Sequence, residues 1–293
     1  MRGKRWTIDR DLIGRLAFLG LGVGAVLSPE RAHADDDMPF AWVYPAETGA
    51  KGELEVEQWL TFSSNKTQEA YDALAGRTEV EYGAIDRLSL AVYANYAWTR
   101  TVPYGPAAPD TRSEASRFSG FSGEAIYQLL DPAADPIGLA LYLEPGIQAG
   151  ERSVEFKLLL QRDLFDNRLV IAANANLEYV WSHAESGGWE QVSALEFLLG
   201  LAYRFAPDWS AGFELVNENA YSGHLLAGAR AETRAFYLGP TIHYGHDGWW
   251  ATVGLSQQLP WAGNPGRTPG GTTHGYVTDA ERFRLRLRLG FEL

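Results

Sequence analysis

The 293-residue chain has no cysteine, which closes every reading built on a disulfide, a thiolate metal ligand or a cysteine nucleophile. It also lacks a hydrophobic run long enough for a membrane-spanning helix, which needs about 20 residues; Leu16–Leu27 offers twelve. Basic residues are scarce: 25 Lys and Arg stand against 37 Asp and Glu, a net charge of −12. Binding to phosphate backbones runs on Lys/Arg excess, so the balance argues against nucleic acid as a partner. What the chain does have is aromatic residues, 13% of the total with ten Trp, on a mean hydropathy slightly below zero. That combination fits a β-barrel that hides its apolarity by alternation, and equally a large soluble β-sandwich.

The N-terminus reads as a secretory signal. Arg2, Lys4, Arg5, Arg10 and Arg15 precede the apolar run, and Ala32-His33-Ala34 supplies a small-x-small cleavage pattern before Asp35-Asp36-Asp37. Cleavage after Ala34 removes six basic and three acidic residues and leaves 19 and 34, a mature net charge of −15. A membrane-embedded mature chain must then cross as strands.

Period-two alternation marks the strands. In Glu281–Leu293 one face carries Phe283, Leu285, Leu287, Leu289 and Phe291, and the other Arg282, Arg284, Arg286 and Arg288. A helix would scatter those charges, whereas a strand segregates them. Gly52–Phe62 is its acidic counterpart, with Glu53, Glu55 and Glu57 opposite Leu54, Val56, Leu60 and Phe62. Ten similar segments lie between them, near Arg77–Ala84, Arg87–Thr99, Phe118–Leu129, Ile137–Glu144, Arg152–Arg162, Arg168–Trp181, Trp189–Phe205, Trp209–Glu218, Glu232–Tyr244 and Trp249–Leu259. Most reach the roughly nine to eleven residues that a tilted strand needs to cross a bilayer, against about five or six in a soluble sandwich. The expected fold is therefore all-β: a transmembrane up-and-down antiparallel barrel of about twelve strands, with residues 1–34 as signal peptide, 35–51 as a periplasmic lead or plug, and 52–293 as the barrel.

The connections support the same topology. Ile85-Asp86, Leu130–Pro136, Asp163–Asn167, Ala206–Asp208 and Gly245–Gly248 are short, whereas Ser63–Gly76, Arg100–Arg117, Asn219–Ala231 and Pro260–Ala280 are long. Pro145–Glu151 and Ser182–Gly188 break the alternation. Short periplasmic turns alternating with longer outer loops are a feature of outer-membrane barrels. Trp98, Trp181 and Trp189 fall at expected outer ends, and Trp209, Trp249 and Trp250 follow expected inner turns, as interfacial girdles do. Gly239-Pro240 lies within a strand and suggests a bulge that would turn Glu232 and Arg234 inward. The facings of Gln58 and Trp59 do not follow the alternation around them. The aromatics of the lead, Phe40, Trp42 and Tyr44, favour packing against the inner mouth over disorder.

GELEVEQWLTF, TEVEYGAIDRLSLAVYANY, GEAIYQLLDPAADPIGLALYLEP, EFLLGLAYRFAPDWSAGFELVNE, FYLGPTIHYGHDGWWAT and FRLRLRLGFEL resemble an uncharacterised family of Gram-negative outer-membrane barrels. The resemblance runs from about Glu47 to Leu293 and is similar in style to barrels associated with phenol-degradation pathways. It implies a fold and brings no established activity. Such barrels usually end on an aromatic residue; here Phe291 comes two residues early.

By parity the lumen carries Glu53, Glu55, Glu57, Glu79, Glu81, Arg282, Arg284, Arg286 and Arg288, joined by Glu124, Glu144, Glu155, Glu178, Glu196, Glu214, Arg77 and Lys157. Polar lumens line channels, and salt-bridged ones fill closed barrels. The leading expectation is a passive channel or importer for a small solute in the outer membrane. The alternatives are a non-conducting structural or surface-interaction barrel and, behind both, an outer-membrane hydrolase. An enzyme is not expected. None of His183, His224, His243, His246 and His274 has a Ser two positions on, no metal-ligand spacing is present, and no cofactor is implied. Expected partners are outer-membrane lipid, the barrel-assembly and periplasmic chaperone machinery, and a small-molecule solute. Antiparallel closure of the first strand on the last points to an acid–base seam, with Glu53 or Glu55 near Arg286 or Arg288. The topology predicts that a protease-sensitive tag at Gly105 or Gly266 is cut on intact cells and one at Asp247 is spared; the opposite pattern inverts the orientation.

Overall fold

Alternation of apolar and polar residues lets each strand face lipid on one side and a polar lumen on the other, and closure removes the unpaired edges. A computed structural model of the chain follows that scheme. It describes residues 38–67, 69–104, 112–184, 187–225, 230–263, 275–277 and 280–293. The expected signal segment 1–34, and Asp35–Asp37, Gly105, Gly266 and His274, lie outside them.

Twelve strands are found among the described residues: β1 (Leu54–Ser64), β2 (Glu69–Ile85), β3 (Leu88–Pro103), β4 (Ser113–Leu130), β5 (Gly138–Gln148), β6 (Glu151–Leu164), β7 (Leu169–His183), β8 (Trp189–Ala206), β9 (Trp209–Ser222), β10 (Arg230–His246), β11 (Trp249–Gly263) and β12 (Phe283–Glu292). Each pairs antiparallel with its chain neighbours, and β1 closes on β12. All twelve expected segments are strands, but several run further than the alternation reaches. The expected loop Ser63–Gly76 is mostly β2, and Arg100–Arg117 shrinks from both sides. Pro145–Glu151 reduces to the two-residue turn Ala149-Gly150, where Gly150 takes φ 77°. Ser113–Arg117 is exposed on both faces, so it projects beyond the apolar belt and has no reason to alternate.

The bulge expected at Gly239-Pro240 is elsewhere. β10 keeps one register against β9 from Thr233 to Tyr244, passing straight through Pro240, and the shifts occur between Ala231 and Thr233 and, towards β11, between Ala235 and Tyr237. Glu232 and Arg234 consequently stay exposed rather than turning inward. Gly239 is required by close packing, since a Cβ there would lie 1.6 Å from the Leu255 carbonyl oxygen.

Outside, Leu199, Leu215 and Leu238 form one continuous register on β8, β9 and β10. Trp209, Tyr244 and Trp249 cluster at the short-turn end, with ring centroids 4.8 and 5.2 Å apart. Trp250 departs from the expected girdle: it points inward, is buried, and donates its Nε1–H to Glu55 at 2.5 Å. Gln58 sits on the outward face and is satisfied there. Its Nε2 donates to the Tyr96 hydroxyl at 2.7 Å and to the Arg77 carbonyl at 2.9 Å, and its Oε1 accepts from Thr78 at 2.8 Å. The lipid face should reject charge: Leu199→Arg, at a side chain 42% exposed, lowers stability in lipid vesicles by about 2–4 kcal/mol, whereas Glu190→Arg near the rim changes it by about 1 kcal/mol or less. Urea-unfolding midpoints check this, and equal effects at the two positions would overturn the facing.

Candidate functional site

Met38–Ala50 enters the barrel, arches across the lumen and returns to the short-turn end. Such a segment has no strand neighbour, so the wall must supply its hydrogen-bond partners. Glu214 of β9 accepts the backbone N–H groups of Ala41, Trp42 and Val43 at 2.8, 2.8 and 2.7 Å. Asn174 grips Tyr44 at both ends, accepting from its N–H at 2.7 Å and donating to its carbonyl at 2.8 Å. Gln161 accepts from Ala46 N–H at 2.8 Å, Gln128 donates to the Ala46 carbonyl at 3.0 Å, and Thr252 donates to the Met38 carbonyl at 2.6 Å. Phe40, Ala41 and Val43 are wholly buried against Ala172, Ala202, Val216 and Tyr237. Tyr44 packs with Trp59, Tyr142 and Leu159. The segment thus sits deeper than the inner-mouth contact expected for it.

The seam also differs from expectation. Opposite Arg288, Arg286 and Arg284 stand Trp59, Thr61 and Ser63, while Glu55 meets Glu292 and Glu57 meets Gly290. Glu53 and Glu55 therefore have other partners: Glu53 accepts the Ala50 N–H at 2.7 Å, and Glu55 holds Trp250. A slip of two residues preserves every facing, so parity alone cannot select among such registers. One acid–base pair remains at the seam, Glu57–Arg288 at 2.9 Å with both side chains 1% exposed. Trp59 explains its own facing here. Its Nε1–H donates to Glu57 at 2.7 Å, and its ring lies 3.8 Å from the Arg288 guanidinium carbon.

The other expected lumen residues divide by depth. Glu57, Glu79 and Glu81 bring one oxygen each within 4.8 Å of one another, an arrangement that local spacing could not reveal because Glu57 and Glu79 meet across strands. Arg286 donates to Thr61 Oγ1 at 2.8 Å and to the Ala41 carbonyl at 3.0 Å. Arg284 forks onto Glu218 and reaches Glu281 at 3.3 Å. Arg282 lies before β12, 4.7 Å from the Tyr276 ring centre.

Between the arch and the long-loop end is a cavity of about 550 Å³, floored by Trp42, Tyr44 and Trp59. Its wall carries the ion pairs Arg77–Glu144 at 2.7 Å and Lys157–Glu155 at 3.1 Å, together with Arg284–Glu218. Lys157 is held between Tyr44 and Tyr142, 4.0 and 3.8 Å from their ring centres. Glu178 and Glu196 face the same cavity. The geometry is that of a charged vestibule closed below by a segment of its own chain.

A family model matches residues 31–293. The chain belongs to the family of unknown function DUF6662. No curated protein matches it. Among solved structures it is similar to the COG4313 outer membrane channel from Pseudomonas putida F1, at 13% identity and a TM-score of 0.61, over 85% of this chain and 98% of that one. It is also similar to the NanC porin, at 11% identity and 0.50, over 82% and 100%, and to the translocator domain of autotransporter NalP from Neisseria meningitidis, at 9% identity and 0.50, over 84% and 90%. These likenesses carry the fold: this DUF6662 chain is an outer-membrane-type β-barrel.

The buried seam pair gives a direct test. Arg288→Met leaves Glu57 buried without its counter-charge and should cost about 3–5 kcal/mol in urea unfolding from lipid vesicles; adding Glu57→Gln should recover part of it. No recovery would show that Arg288 acts mainly through Trp59 and the arch.

Proposed function

We propose that this barrel is a passive outer-membrane channel for a small solute, narrowed at its short-turn end by the Met38–Ala50 arch. The observation that carries the reading is the 550 Å³ charged vestibule that ends on this arch. The arch is fixed by hydrogen bonds from wall side chains, which can be exchanged for water when it moves. In this reading the chain is exported with its signal cleaved after Ala34, inserted by the barrel-assembly and periplasmic chaperone machinery, and oriented with short turns to the periplasm. Lumenal Glu53, Glu55, Glu57, Glu79 and Glu81 and Arg282, Arg284, Arg286 and Arg288 shape the path and hold the arch, without a catalytic role.

The full arch crosses the lumen, which favours the competing reading of a closed structural barrel. Conductance of the refolded protein in a planar bilayer separates the two. The channel reading expects discrete openings in the natural protein. It expects longer or larger ones in Glu214→Ala, because that change strips three buried N–H groups of their acceptor. If the natural protein, Glu214→Ala and a chain lacking residues 38–50 are all silent while folded by heat-modifiable gel mobility, the barrel is a closed one.

A further inference from the structure

The vestibule wall places glutamates directly opposite one another on neighbouring strands: Glu144 meets Glu155, Glu155 meets Glu178, and Glu196 meets Glu218. Like charges in direct cross-strand pairs are unfavourable, so such a wall calls for cations. Arg77, Lys157 and Arg284 answer Glu144, Glu155 and Glu218. Among the described residues no Lys or Arg forms an ion pair with Glu178 or Glu196. These two lie diagonally across β7 and β8, Glu178 opposite Ala194 and Glu196 opposite Asn176.

Asn176 lies between them and is 5% exposed. Its Nδ2 donates to Glu196 at 3.2 Å, whereas its Oδ1 is buried with no hydrogen-bond partner. Glu178, Asn176 and Glu196 all line the cavity and form a set of acceptors short of donors. A buried acceptor left unpaired is costly, and a ligand with several N–H groups would satisfy it.

We propose that the vestibule binds a small organic cation, an ammonium head among Glu178, Asn176 and Glu196 with an apolar body below it; as a statement about solute class it rests on the channel reading. Two observations select an organic cation over a metal ion. Among the described residues Glu178 and Glu196 belong to no group of three His, Asp or Glu side chains whose ligand atoms converge within 4.8 Å, as those of Glu57, Glu79 and Glu81 do, and a hard metal ion draws on several converging oxygens. Leu198 and Val216, the next inward-facing residues on β8 and β9, line the same cavity beside Trp42 and offer an apolar surface to the body of the ligand. The cavity volume of about 550 Å³ falls within the range of roughly 300–1,000 Å³ usual for small-molecule sites.

Calorimetry on the refolded protein tests this with three probes: benzylammonium, benzyl alcohol and Ca²⁺. Benzylammonium should bind at least about tenfold more tightly than the alcohol, and the Glu178→Gln/Glu196→Gln double variant should weaken it at least about tenfold while leaving the alcohol unchanged. Comparing the ligands on the natural protein keeps the test independent of the variant's folding. Equal binding of the alcohol, undiminished ammonium binding by the folded double variant, or displacement of benzylammonium by equimolar Ca²⁺ would each overturn the proposal. Conductance of the same sample keeps the two readings apart. Ammonium binding to a silent barrel supports the site and rejects the channel, and conduction without ammonium binding rejects the site and keeps the channel.

Discussion

Three consecutive backbone N–H groups converging on the Glu214 carboxylate are the interaction around which the lumen is organised. A chain segment that enters a closed barrel leaves behind every strand that could pair with it. Its polar backbone must be met by side chains or remain unsatisfied in a buried place. Glu214 meets three such groups with one side chain, and Asn174, Gln161 and Gln128 meet the next. The polar residues of the lower lumen are thus accounted for largely as a template for the arch, and the apolar ones, such as Ala172, Ala202 and Val216, as the space for its side chains.

That division explains why the lumen is acidic in two separate regions. Beneath the arch, Glu57 engages the buried Arg288, and Trp59 covers that guanidinium. Above it, the glutamates are spread over five adjacent strands and only some have cationic neighbours. Residues with the same parity and the same chemistry serve as structure in one region and line open space in the other. The level at which the arch crosses decides which.

The twelve strands were legible because two environments alternate along each of them. The legibility ended where that contrast ended. Ser113–Arg117 is exposed on both faces, so neither is selected, and Glu69–Gly76 carries Ala70, Ala73, Ala75 and Gly76, which give the alternation little contrast; both read as loops. Trp250 looked like a girdle residue from its place after a turn, but strict alternation with Trp249 sends one of the pair inward. Gln58 looked misplaced because alternation considers one strand at a time, and its partners Thr78 and Tyr96 lie on the next two. The seam pairs were misassigned for a related reason: period two fixes facing and leaves even-numbered slips open. The depth of the arch was hidden because nothing in Phe40–Tyr44 says which wall it will meet. Of the vestibule glutamates, Glu144, Glu155, Glu178 and Glu196 could be listed by parity, whereas Glu218, at the edge of its expected strand, was missed; the neighbours of all of them depend on cross-strand register.

The arch precedes the first strand, yet Arg286 and Arg288 of the last strand donate to the carbonyls of Ala41 and Phe40. Those contacts span 245 and 248 positions of sequence. They cannot form until the final strand has been delivered, and loop closure over such distances is the slow part of folding. The final strand therefore acts as a latch as well as a wall. When it docks on β1, it closes the circumference and fastens the segment within, so completing the cylinder and setting its internal contents are one event.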